Sequence, residues 1–207
     1  MRKRMFAGEL FLDHCQGLNE ERTRAKVLMT ELNQLNPNFV DEKKQLINQI
    51  FGKETDVFIE APFHITYGVN TSFGKNCYVN YNCNFIDDGK INIGNQVLIG
   101  AGVTIITVGH PINPNYREYM FTEEVTLKDN CWIGAGVVIN SGVTIGENSV
   151  IGSGSVVTKD IPDNCIAVGN PCRVLREISE SDMIYYRSDK KIDEEELKKV
   201  KKIDQTT

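Results

Sequence analysis

The amino-acid sequence predicts a mainly β protein wound as a parallel β-helix, and three observations predict it. Large apolar residues recur at a spacing of six: Phe73, Val79 and Phe85, then Ile93, Ile99 and Ile105, then Leu127, Ile133, Ile139, Ile145, Ile151 and Val157. The next position is repeatedly glycine, at Gly74, Gly94, Gly100, Gly134, Gly146 and Gly152. Four residues after each large side chain stands a small or β-branched one: Cys77, Cys83, Val97, Val103, Cys131, Val137, Val143, Ser149 and Ser155. A period of six fits neither the roughly 3.6 of an α-helix nor the roughly 2.0 of a long strand. It fits short strands that bury one large and one small residue and then bend, with glycine admitting the crowded corner. Three such strands close a triangular coil, and coils stack about 4.8 Å apart by parallel hydrogen bonding. A sandwich, with turns every ~8 to 12 residues, holds no fixed phase over so many units.

Taken in order, residues 1–60 read as a helical lead-in. Leu28, Met29, Leu32 and Leu35, then Leu46, Ile47, Ile50 and Phe51, take helical spacing on either side of a break at Asn36-Pro37. Residues 61–178 form the β-helix domain. Residues 179–207 read as a charged, helical or frayed tail, with Asp193-Glu194-Glu195-Glu196 followed by Lys198-Lys199 and Lys201-Lys202. Such a run is ordinarily a solvated face.

The period fails between Ile105 and Leu127, where TVGHPINPNYREYMFTEEV replaces it. A long departure from a solenoid is a surface loop, and surface loops carry function. This one holds His110, restricted by Pro111, and histidine as a residue type can take a proton from a hydroxyl at working pH. A second departure is the two-residue insertion at Asp87-Asp88. It lies in a stretch rich in polar residues: Tyr78, Asn80, Tyr81, Asn82 and Asn84. Asn and Asp side chains bind polyhydroxyl ligands, and they also make tight turns; spacing does not separate the two. A third feature is basic: Thr158-Lys159, then Gly169-Asn170-Pro171-Cys172-Arg173 and Arg176. Three residues apart, Arg173 and Arg176 share one face if a helical turn carries them, and guanidinium pairs suit phosphate.

Composition narrows the classes. With a net charge of -5, nothing forces a basic face, which argues against nucleic acid as a partner. No apolar run approaches the ~20 residues that span a bilayer. The basic start Arg2-Lys3-Arg4 is followed by apolar residues broken by Glu9 and Asp13, unlike a signal peptide, so the cytoplasm is the expected compartment. The six cysteines are then expected to be reduced, and Cys77, Cys83 and Cys131 sit in the small-residue phase of the repeat.

Together the hexapeptide repeat, the TVGHPINP loop, the ending VVTKDIPDNCIAVGNPCRVLREI and the opening AGELFLDHCQGLNEERTRAK resemble the maltose and galactoside O-acetyltransferases over residues 5–178. The resemblance implies a left-handed parallel β-helix, a homotrimer with active sites between subunits, acetyl-CoA as donor, a sugar hydroxyl as acceptor, and no metal. By position, His110 matches the catalytic base and Asn80 the asparagine at the reacting acetyl group. Asp13, Thr66, Tyr78, Asp88 and Met120 match acceptor-site positions, with Thr66 where one subfamily has serine. The loop after His110 is two residues shorter than in the galactoside enzymes. Asn80, Ala135, Ser153, Thr158, Lys159, Arg173 and Arg176 match the coenzyme A groove.

Three rival readings remain. A carbonic anhydrase on the same helix needs several histidines at one zinc, and the chain has only His14, His64 and His110. A scaffold protein has no need of the His110 loop. Acetylation of an antibiotic, a lipo-oligosaccharide or an amino sugar keeps the chemistry and changes only the acceptor.

Overall fold

Strands of two to four residues repeat through the middle of the chain and stack into three parallel ladders. The computed structural model describes residues 1–15 and 17–198. It divides into two compact units, Met1–Arg176 and Glu177–Thr207. In the first unit, one face of the helix stacks Phe58–Ile59, Tyr78–Val79, Leu98–Ile99, Trp132–Ile133, Val150–Ile151 and Cys165–Val168. The second face stacks Phe63–Ile65, Cys83–Ile86, Thr104–Ile106, Val138–Ile139 and Val156–Val157. The third stacks Thr71–Phe73, Ile91–Ile93, Val125–Leu127 and Thr144–Ile145. Register follows the apolar phase: Ile59 pairs with Val79 and Val79 with Ile99, while Phe73 pairs with Ile93 and Ile93 with Leu127. The large residues of the repeat point inward and are buried, Phe73 only partly, and so are the small ones between them.

The cysteines are explained by this phase. Cys77, Cys83 and Cys131 are buried and free. Their thiols reach the carbonyls of Gly94, Gly100 and Gly146 on the next coil at 3.0, 3.2 and 3.0 Å. Ser149 and Ser155 occupy the same phase further along. Ser149 Oγ donates to Pro162 O at 2.7 Å and accepts from Cys165 N–H at 3.0 Å, so its buried hydroxyl is fully engaged.

The winding starts a coil earlier than the sequence repeat suggests. Ile59 and Ile65 are already in phase, and an eight-residue step then separates Ile65 from Phe73. The same eight-residue step separates Phe85 from Ile93. The first insertion hides the first coil from a search for strict sixes.

Three helices precede the coils: α1 (Arg2–Phe6), α2 (Leu18–Gln34) and α3 (Val40–Phe51). The expected break at Asn36-Pro37 falls between α2 and α3. Leu18, Ala25 and Leu32 of α2 are buried, seven residues apart, and Ile47, Ile50 and Phe51 of α3 join the main core. These helices cover the open end of the solenoid, where unpaired strand groups would otherwise face solvent. Asn33 of α2 shows how. Its side-chain amide donates to Phe63 O and accepts from Phe63 N–H, both at 2.9 Å, in place of a missing strand.

Beyond the solenoid, Arg173 and Arg176 belong to an extended strand, Arg173–Glu177. The helical turn expected there is absent, and side chains three apart in a strand point to opposite faces. The second unit contains α4 (Glu180–Ile184), started by Ser179 and Asp182. The Asp182 carboxylate accepts from the Ser179 backbone N–H and hydroxyl, each at 2.7 Å. A short hairpin of Tyr185–Arg187 with Lys190–Lys191 follows. Lys199, Lys201 and Lys202 of the basic run lie outside the described residues. Among the described residues, no helix is long and apolar enough to cross a membrane.

Candidate active site

Three consecutive coils depart from the six-residue period at the same corner, between the second and third faces. Ile65, Phe85 and Ile105 are in register before it, and Phe73, Ile93 and Leu127 after it. The first coil inserts residues around Tyr67, the second inserts Asp87-Asp88, and the third inserts the whole His110 loop. Stacking therefore brings three separate sequence interruptions to one place.

The His110 loop is a hairpin. Val108–Gly109 pairs antiparallel with Phe121–Thr122. A Cβ at Gly109 would lie 3.0 Å from the Phe121 ring, so any larger residue directly before His110 requires that ring to give by a few tenths of an ångström. The loop's tip is stiffened by a 3-10 turn, Pro114–Tyr116, in which the Asn113 side chain accepts from Asn115 N–H at 3.1 Å. The His110 ring is held at Nδ1, 2.7 Å from Arg117 O and 3.0 Å from Tyr119 O. Both partners are carbonyls and can only accept, so Nδ1 carries a proton and, in the neutral ring, Nε2 keeps a lone pair. The imidazole is thus oriented in the tautomer a general base requires.

The lead-in segment closes over this loop. Phe11 and Met120 exchange two backbone hydrogen bonds of 2.9 Å, and Thr122 Oγ1 donates to Met5 O. Met5, Phe11, Leu18 and Tyr67 form a small apolar cluster apart from the main core, with Cys15 and Met120 packed against it. Asp13, two residues past the Phe11 bridge, is ion-paired with Arg22 of α2. Arg22 also donates to the Tyr67 hydroxyl at 3.0 Å and to Asp13 O at 3.2 Å. Its guanidinium lies 5.7 Å from the centre of the Tyr67 ring.

Under this cover lie two buried carboxyl groups. Asp88 is 3% exposed and Asp87 is fully buried. Burial pushes the Asp88 carboxyl up to about 6, against the pull of Arg22 and His110. Burial pushes Asp87 up to about 7, although Tyr67 N–H, Thr71 Oγ1 and Gly68 N–H all donate to it. Desolvation of a carboxylate outweighs its hydrogen bonds here.

Of the residues singled out in the sequence, Asp13, Thr66, Asp88, His110 and Met120 belong to this corner. Thr66 is half-buried beside Tyr67, its N–H bonded to Phe85 O at 3.1 Å. Tyr78 and Asn80 do not belong to it. Tyr78 lies on the first face, its ring stacked 5.7 Å from Phe58, and Asn80 lies at the corner between the first and second faces. The Asn80 side chain accepts from Tyr81 N–H at 2.8 Å. Ala135 and Ser153 follow the first-face strands two and three coils further on, at Asn80's corner. Thr158 and Lys159 leave the second face on the last coil. Arg173 and Arg176 lie on the exposed strand beyond it. Asn82, with φ of 61°, is a turn residue at the same corner as Asn80. His14 and His64 are exposed on the lead-in and the second face.

Two members of the corner were missed in the sequence. Tyr67 could have been found from the repeated eight-residue step. Nothing marks Arg22, because it sits on a helix with a solvated pattern and meets Tyr67 only in the folded chain.

Known proteins bear on this geometry. The family model described as bacterial transferase hexapeptide (six repeats) matches residues 124–159, and the maltose acetyltransferase hexapeptide capping motif matches residues 4–54. A galactoside O-acetyltransferase of Escherichia coli K12 is 45% identical over 196 residues, covering 93% of this chain and 97% of the relative. A solved galactoside acetyltransferase in complex with coenzyme A superposes with a TM-score of 0.88 at 45% identity, covering 93% of this chain and 98% of the other. A maltose O-acetyltransferase from Clostridium difficile 630 superposes with a TM-score of 0.83 at 39% identity, covering 86% and 97%. The coils, their capping helices and these near full-length relatives agree: the chain belongs to the maltose and galactoside O-acetyltransferase family of hexapeptide-repeat acyltransferases.

Proposed function

We propose that the protein transfers the acetyl group of acetyl-CoA directly to a hydroxyl of a sugar of the galactoside, maltose or glucose type, with His110 as general base. The observation that carries this reading is the fixed tautomer of His110, beside the buried carboxyl groups at the corner where three coils depart together. The names of the relatives, one of them solved with coenzyme A, supply the donor and the acceptor class.

In this reading Nε2 of His110 takes the hydroxyl proton as the sugar oxygen attacks the thioester carbonyl carbon. The tetrahedral oxyanion is met by the side-chain amide of Asn80. The C–S bond then breaks, and the CoA sulfur leaves with the proton returned by His110. Asp13, Thr66, Tyr78, Asp88 and Met120 hold the acceptor. Ala135, Ser153, Thr158, Lys159, Arg173 and Arg176 hold the coenzyme, supplying position rather than chemistry. The reading uses no nucleophilic cysteine, and burial pushes the Cys83 and Cys131 thiols up to about 11, away from the reactive thiolate.

Asn80 and Tyr78 are on a different corner from His110, so a site that uses all three is completed by a neighbouring copy. The outward residues of the first face support such an assembly. Phe58, Tyr78, Leu98, Trp132, Val150 and Ile166 form one in-register column. Leu98 is 50% exposed and Trp132 56%. An apolar stripe of this kind marks an interface. A contact that joins two different corners is head-to-tail, and its closure into a ring of three is the homotrimer that the family resemblance implies.

The test is thiol release from acetyl-CoA across a panel of sugars and antibiotics. Acceptor-dependent release with galactosides, maltose or glucose is expected. Release with an antibiotic alone would replace the acceptor class, and failure to bind acetyl-CoA in calorimetry would remove the enzyme reading.

A further inference from the structure

Asp87 is not one of the residues assigned to either substrate, yet its fully buried side chain engages three partners at the corner. Its carboxylate accepts from Tyr67 N–H at 2.7 Å, Gly68 N–H at 2.9 Å and Thr71 Oγ1 at 3.1 Å. Two of the three partners are backbone N–H groups, which can only donate, and the Thr71 hydroxyl completes the set, so both carboxyl oxygens are engaged by the first coil. A buried carboxylate is costly, and an asparagine or glycine would serve an ordinary turn. The arrangement is therefore one of geometry rather than of turn-making.

We propose that Asp87 is a positioning residue of the acceptor site, clamping residues 66–71 of the first coil beneath the second and so fixing Asp88, Tyr67 and, through Arg22, Asp13. The clamp closes from both sides. Beneath the turn, a Cβ at Gly68 would stand 2.3 Å from Ile50 O, so the backbone is pressed against the end of α3. Above it, Asn70 Nδ2 donates to Asp87 O at 2.7 Å and to Asp88 O at 3.2 Å, tying the Asp88 backbone to the same turn. The Tyr67 hydroxyl, fixed when its backbone is fixed, accepts from Arg22, and Arg22 holds Asp13 by an ion pair. His110 is outside this chain of contacts, because its ring is oriented by carbonyls of its own loop. Asp87 thus acts on acceptor placement and leaves the base alone.

This inference rests on the reading that the corner receives the sugar. The experiment compares wild type with Asp87→Asn, which keeps the shape but turns one acceptor into a donor facing other donors. Acceptor KM is expected to rise about tenfold or more, with acetyl-CoA KM and kcat at saturating acceptor within about threefold. An acceptor KM within about twofold of wild type overturns the proposal, and so does a parallel change in all three constants. If Asp87→Asn does not fold, Thr71→Val decides: it removes one of the three bonds and should raise acceptor KM about threefold with the other constants unchanged. Amide hydrogen exchange gives a readout that needs no acceptor. The Tyr67 and Gly68 amides should exchange faster in the variants while second-face strand amides do not. Unchanged exchange sinks the clamp, whereas a wild-type protein that acetylates no sugar sinks the functional reading instead.

Discussion

His110 is the residue whose replacement discriminates most sharply. With Nδ1 committed to two carbonyls, Nε2 is the atom that the proposed reaction uses for the hydroxyl proton. His110→Ala is expected to lower kcat by about two to four orders of magnitude while leaving acetyl-CoA affinity in place. Steady-state kinetics with calorimetric binding checks both halves, and near-normal turnover would remove His110 from the role. The carboxyl pair makes a second prediction, about pH. Asp88 and Asp87 keep their protons up to about 6 and about 7, well above the ordinary 3.8. Between those limits the folded chain binds more protons than the unfolded one, so their contribution to stability is complete at low pH and lost as pH rises. Asp129 and Asp163 are held below 3.8 by Asn95 and Lys128, so their opposite contribution is already complete above about pH 4. Asp88→Asn should therefore shrink the fall in Tm between pH 5 and pH 8 in scanning calorimetry, and an unchanged fall would contradict this account.

At the scale of elements, the corner hairpin depends on close packing behind His110. Gly109→Ala places a methyl against the Phe121 ring and should destabilise the hairpin by about 1–3 kcal/mol. Lower kcat with faster exchange of the Val108 and Thr122 amides is expected, and an unaltered kcat would mean that the loop tolerates the shift. What could be read in the sequence follows the same division. Ile99, Ile133 and Ile151 repeat because each faces one core, and a core facing several coils writes its period into the chain. The His110 loop was visible as a gap in that period. The first coil was not, because the insertion before Phe73 shifts the phase. The Arg22–Tyr67 contact leaves no periodic trace, since it joins a helix to a turn 45 residues away. Arg173 and Arg176 stand three apart, which would share one face of a helical turn, but the chain there is extended.

At the scale of the whole molecule, the proposed reaction requires that Asn80 and His110 meet. Leu98→Glu puts a charge in the apolar column and should convert a trimer to monomers in light scattering, with loss of turnover. A trimer that survives this change would place the interface elsewhere. Mixing inactive His110→Ala and Asn80→Ala subunits gives a sharper test. Where the intact His110 of one subunit faces the intact Asn80 of another, activity should return, and its failure to return would put the site within one chain. The buried thiols that line the coils have a practical consequence for all these assays. Cys77, Cys83, Cys131, Cys165 and Cys172 are buried, and only Cys15, near Asp13, is half-open. A disulfide reagent added to the native enzyme would therefore count released coenzyme against almost no protein background. The slow reaction of Cys15 with that reagent, retarded by a bound acceptor, would serve as a built-in reporter of occupancy without a single engineered label.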